Sequence, residues 1–127
     1  AREFHASPQS ILNLAVRLLA SVREDSTRAR LAPALQSRAK SPDVALSTAA
    51  AAVLLAWDPE THVFRLLDGL ASNNVLEREL SIRYLLKSKH PLVTPVLRRA
   101  LARETRDVPK TVLRKLLDQR EQSGEKM

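Results

Sequence analysis

The sequence predicts an all-α chain: a right-handed α-solenoid of about three and a half helix-turn-helix repeats, built from seven short antiparallel helices. Three observations predict it. First, Ser41 to Thr105 reads as one unit written twice. In each copy a capped apolar run is broken by a polar turn and followed by a second apolar run. The copies lie roughly thirty residues apart, the length of a helical repeat. Second, 127 residues carry only two glycines, Gly69 and Gly124. That is too few for the tight turns of a β-sandwich or for a phosphate-cradling loop. Third, aromatic residues make up only 3% of the chain. The core must then be built from Leu, Val, Ile and Ala, whose compact side chains let helices approach closely.

The first six residues, Ala1 to Ala6, show no periodicity and read as a linker. Ser7-Pro8 supplies a cap and a proline at the first helical position, where its missing N–H costs nothing. The first helix runs to about Val22, with Ile11, Leu12, Ala15, Leu18 and Leu19 as its apolar stripe. Glu24-Asp25-Ser26 caps a second helix carrying Leu31, Ala34, Leu35 and Ala39 on one face. Ser41-Pro42 repeats the opening device and starts a third helix. It is apolar nearly all round from Ala49 to Leu55, as a helix enclosed by neighbours should be.

Asp58-Pro59-Glu60 ends the third helix and caps the fourth, which closes at Asn73-Asn74. Asn74 and Glu77 form a capping-box pattern at the start of the fifth. Leu76, Leu80 and Tyr84 make its stripe. His90-Pro91 opens the sixth helix, and Arg106-Asp107-Val108-Pro109 the seventh, with Val112, Leu113, Leu116 and Leu117 on one face. The repeat domain therefore spans 7–119, and 120–127 reads as a polar, frayed tail. The second helices of successive units share an apolar-x-Pro-x-Leu pattern at Leu31–Leu35 and Val93–Leu97, with Arg65 replacing proline in the unit between. Pro33 and Pro95 are expected about a turn and a half into their helices, each with a slight bend.

With Pro42-Asp43-Val44, Ala49 to Ala52, Asp107-Val108, and Pro33 and Pro95 in place, the chain resembles the HEAT repeat family, in the short bacterial form similar to phycobilin lyase HEAT-like repeats. The resemblance covers roughly Ser7 to Gln119 and implies a binding scaffold. It departs at the family's arginine after Asp-x-x, since Ala45, Leu46 and Ser47 follow Val44 here. HEAT-like DNA glycosylases resemble this architecture too, with an aromatic, an acid and a base on a concave surface. Trp57, Asp58 and Arg65 are the local candidates, although Asp58 is better explained as a cap and Trp57 as an anchor under a loop.

No catalytic pattern emerges. Zero cysteines exclude disulfides, thiolate metal sites and cysteine nucleophiles, and the composition fits a reducing compartment, so a cytoplasmic location is expected. His5, His62 and His90 stand far apart in no ligand spacing. The chain reads as a non-enzyme without cofactor or metal. No apolar run approaches the roughly twenty residues of a membrane span. Starting without Met, it reads as a segment of a larger protein. Its first helix has little cover, so upstream sequence or a partner is expected to pack there.

Charge is the informative feature. The net charge is +7. Residues 1–63 hold seven basic against six acidic groups, whereas the remainder holds fourteen against eight. Arg83 with Lys87, Arg99 with Arg103, and Lys110 with Arg114 form ridges at i,i+4 spacing on three successive helices. The sequence therefore predicts a protein-interaction scaffold that takes an acidic protein partner through these six residues. The alternative is nucleic-acid binding by the same ridges, limited to backbone contact because Tyr84 is the only aromatic residue near them.

Overall fold

The computed structural model describes residues 8–125. The expected linker and its Ser7 cap, with His5, lie outside the described residues. Seven α-helices follow in chain order: α1 Pro8–Ala20, α2 Asp25–Arg38, α3 Val44–Trp57, α4 Pro59–Leu70, α5 Val75–Lys87, α6 Val93–Arg103 and α7 Asp107–Glu125. There is no strand among the described residues. The last helix continues to Glu125, beyond Gln119, where the sequence reading closes the domain.

Polar caps set three of the starts. Asp43 accepts from the Leu46 amide at 3.1 Å, Asp58 from Thr61 at 3.4 Å, and Asn74 from Glu77 at 3.1 Å. Each bond satisfies one of the orphan donors of a first turn. Elsewhere the local chemistry differs from the sequence reading. Ser41-Pro42 precedes α3 instead of starting it, with Ser41 Oγ accepting from the Asp43 amide at 3.1 Å in a short turn. Glu24 turns its carboxylate to the hydroxyls of Ser26 and Thr27, so it makes no side-chain cap for α2. The Asn74 capping box is only half closed: Glu77 reaches across to Arg65 at 3.1 Å, and the Asn74 amide donates to Ser72 Oγ. Likewise α6 begins at Val93, after a turn in which the Leu92 amide donates to His90 Nδ1.

The two prolines fall in different settings. Pro95 is the third residue of α6, so it removes only an orphan donor. Pro33 lies deeper, as the ninth residue of α2, and leaves the Ala29 carbonyl without its helical donor.

The core is organised around α3, which packs against α1, α2, α4 and α5. Every residue from Ser47 to Leu55 is buried. Four consecutive alanines, Ala49 to Ala52, let those neighbours approach from different sides. On one side of α3, Leu66, Leu70, Leu85, Leu97 and Leu116 join it in the main core. Truncating any one of them to Ala should cost about 2–5 kcal/mol. On the other, Leu35 packs with Ala50, Val53 and Leu54, bordered by Leu19, Leu31 and Trp57. Where α4 meets α5, a Cβ added to Gly69 would overlap Ser81 Oγ, so this crossing requires glycine.

Most contacts join a helix to the next in the chain (α2·α3, α3·α4, α4·α5, α6·α7) or the next but one (α1·α3, α3·α5, α4·α6, α5·α7), and α4 also touches α7. This pattern fits a helical repeat, in which each unit rests on its neighbours. The edges differ. On α7, Leu113, Leu116 and Leu117 are buried beneath a polar outer side. On α1 no residue is buried, and Ile11, Leu14 and Leu18 stand 57%, 49% and 61% exposed. The stripe read from the sequence is therefore split: Leu12 packs on the main core and Leu19 on the smaller one, Ile11 and Leu18 face outward, and Val16, outside that stripe, touches both cores.

Candidate binding groove

Because α1 and α5 both pack on α3, a groove is left between them, with α3 as its floor. Its volume is about 910 Å³, at the upper end for small-molecule pockets. Leu14, Val16, Ala52, Leu55 and Tyr84 give it an apolar lining. Its banks are basic on both sides. Arg17 and Arg23 stand on the α1 side, and Lys87, Lys89 and His90 on the α5 side, all exposed. No carboxylate stands among the described residues that line it.

The placement of these cations has a local cause. Arg17 and Lys87 occupy the last turns of α1 and α5, where the helix macrodipole favours positive charge. Arg23 and Lys89 follow in the loops after those helices, and His90 beside them is a polar neighbour whose Nδ1 accepts from the Leu92 amide. Farther from these loops a polar bridge links α1 to α5 across the groove. Tyr84 OH donates to Asn13 Oδ1 at 3.1 Å, and Gln9 Nε2 donates to the same oxygen at 2.9 Å and to Tyr84 OH at 3.5 Å. Burial pushes the Tyr84 hydroxyl above the ordinary tyrosine pKa; the Gln9 bond and the Arg83 charge oppose this more weakly.

Each bank is tied down behind the groove. Behind α1, the Trp57 indole N–H donates to the Leu19 carbonyl at 3.0 Å, and the Arg28 guanidinium lies 5.7 Å from the ring centroid. Behind α5, Arg120 of α7 donates to the Leu85 carbonyl, to the Ser88 carbonyl at 2.6 Å, and to Thr94 Oγ1 at 2.9 Å. These bonds join the end of α5 to the start of α6.

The six basic residues singled out from the sequence do not form one surface. Lys87 lines the groove, with Arg83 one turn before it on the same helix. Lys110 and Arg114 share an α7 stripe with Glu121, at i+11 and i+7, and Glu121 pairs with Arg98 of α6 at 2.7 Å. That stripe therefore faces the α6 flank. Arg99 and Arg103 lie about 100° or more around α6 from Arg98. Five of the six are exposed and Lys110 is half-buried, and none makes an ion pair among the described residues.

The residues that sequence reasoning missed are Arg17 and Arg23, which lie in the nearly neutral half. Counting charge along the chain hides them. Comparing the C-terminal ends of α1 and α5 reveals them, since each carries a basic residue in its last turn, Arg17 and Lys87, and another in the loop that follows, Arg23 and Lys89.

Other candidates have local duties. Asp58 caps α4, Arg65 pairs with Glu77, and Trp57 makes the bond to Leu19. A smaller hollow of about 320 Å³ lies among α4, α6 and α7, rimmed by Glu104 and Arg106. Two hydrogen bonds from Arg106 and one from its amide hold the Glu104 carboxyl at a pKa of about 2. No helix among the described residues is long and apolar enough to cross a membrane. No family model, no curated protein and no solved structure matches the chain.

Proposed function

We propose that the protein is a non-catalytic scaffold of HEAT-like type, a segment of a right-handed α-solenoid that binds an acidic protein partner. One observation carries this reading: a groove with exposed cations on both banks and no carboxylate between them. Unopposed charge of this kind draws an anionic surface in and accelerates encounter. The neighbouring cations Arg83, Arg99, Arg103, Lys110 and Arg114 widen the field and guide approach from more than one side. A cytoplasmic partner fits the absence of cysteine.

A protein partner is favoured over nucleic acid by the state of Tyr84. Its ring is only 6% exposed and its hydroxyl is engaged by α1, so it offers no face on which a base could stack. The test is association kinetics across ionic strength, with poly-glutamate and with single-stranded DNA of equal charge. The reading expects salt-sensitive binding of poly-glutamate at least as tight as that of the DNA. Reversing Lys110 and Arg114 to Glu should slow association severalfold and flatten its salt dependence, with helicity unchanged. Absence of poly-glutamate binding at low salt would overturn the proposal, and clearly tighter DNA binding would favour the nucleic-acid reading.

A further inference from the structure

From the apolar floor between two basic banks, we infer that the α1/α5 groove takes an amphipathic acidic helix of the partner, laid along it with its apolar stripe down and carboxylates on both flanks. This inference rests on the acidic-partner reading above and specifies its ligand. Attraction alone would need only charge, and an open basic surface would serve. Here Leu14, Leu55 and Ala52 lie between the cations instead. A polyanion bound across the banks would leave that apolar surface in contact with its own charges. A helix places aliphatic side chains there and still presents acids to Arg17 and Arg23 on one side and to Lys87 and Lys89 on the other.

The placement of the charges adds polarity to the arrangement. The Tyr84–Asn13 bridge spans the groove on one side of them, and the groove continues to the loops that end α1 and α5. Carboxylates should therefore concentrate toward those loops, where Arg23 and Lys89 stand. Exposed Ala56 lies on the floor. Its methyl group leaves the depth that an incoming leucine would fill.

The experiment measures binding of two N-acetylated peptides of equal net charge to the intact chain. One has about 15 residues and carries a leucine stripe flanked on both sides by glutamates; the other is a shorter poly-glutamate with the same number of glutamates. The amphipathic peptide should bind roughly tenfold tighter or more, because apolar burial adds to attraction. Ala56→Trp, which fills the floor without changing charge, should remove that advantage and leave poly-glutamate binding intact. Leu14→Ser, at a half-exposed position, provides a second variant that empties the lining instead of filling it, and should cut the advantage severalfold. Far-UV circular dichroism checks that both variants remain folded. The double reversal R17E/K87E should weaken both peptides. Equal affinity for the two peptides, or an advantage untouched by both floor variants, would overturn the groove inference while leaving the acidic-partner reading in place. Failure of both peptides to bind at low salt would overturn the two together.

Discussion

The two banks of the groove are secured in opposite ways. The α1 bank is held by packing: Trp57 lays a large apolar body under the end of α1 and adds a single N–H bond to Leu19. The α5 bank is held by a charged fork. Arg120 crosses from α7 and donates to three oxygens at the α5–α6 corner. Partial burial lowers the pKa of that guanidinium, yet it stays charged in any accessible range. A packed tie depends on volume and tolerates changes in polarity. A forked tie depends on geometry and tolerates almost no substitution, because each carbonyl it serves needs a donor at a fixed place.

Alanine substitutions should produce the largest effects and rank the two ties. Trp57→Ala removes most of an aromatic body from the smaller core and should cost about 3 kcal/mol in urea unfolding. Arg120→Ala should cost about 2 kcal/mol, since its three acceptors partly recover water. The local signatures should differ more than the totals. Hydrogen exchange should speed up at Ser88 to Leu92 in Arg120→Ala, and at Leu19 to Arg23 in Trp57→Ala. Faster exchange at both corners in each variant would show the banks to be one cooperative unit and dissolve the distinction.

Conservative substitutions sharpen the contrast at lower cost. Trp57→Phe retains most of the body and loses one donor, so it should cost about 1 kcal/mol. Arg120→Lys retains the charge but cannot reach three oxygens, so it should lose most of what Arg120→Ala loses, still about 1–2 kcal/mol. Thermal denaturation resolves this, at about 4 °C per kcal/mol for a chain of this size. A lysine variant as stable as the parent would mean that charge alone, without the fork, holds the corner.

The same pair explains how much of the molecule was legible in advance. Helix identity and order could be read because apolar periodicity and caps such as Asp43, Asp58 and Asn74 act within a few residues. Trp57 could be read as an anchor because a lone tryptophan at the end of an apolar helix has few other uses. Arg120 could not. In sequence it belongs to a polar stretch resembling a tail, and its acceptors lie about thirty residues away on another helix. The capping box at Asn74 misled for a related reason, since Glu77 had a better partner in Arg65 across the α4–α5 crossing. The groove was half legible. Lys87 belonged to a visible ridge, whereas Arg17 joins it only because α1 and α5 both rest on α3. The ridge at Lys110 and Arg114 was visible too, but helical phase turns it toward α6.

The smallest effect concerns the bridge that joins the banks directly. Tyr84→Phe keeps the buried ring and removes the hydroxyl that donates to Asn13, at a cost of about 0.5–1 kcal/mol near neutral pH. Its pH dependence is more telling than its size. Burial raises the folded-state pKa of Tyr84, so folding favours the protonated phenol. The stabilisation is fully present below about pH 10, where the unfolded chain titrates, and is lost as pH rises through the higher folded value. The phenylalanine variant has no such proton to lose. The stability gap between the two proteins should therefore narrow above pH 10 and can reverse once the phenolate must be buried. Tyr84 is the only tyrosine in the chain, so phenolate absorbance reports this one residue directly. A titration midpoint at the ordinary tyrosine value, or a gap that stays constant through the alkaline limb, would show the bridge to be open to water. The two banks would then be coupled through α3 alone.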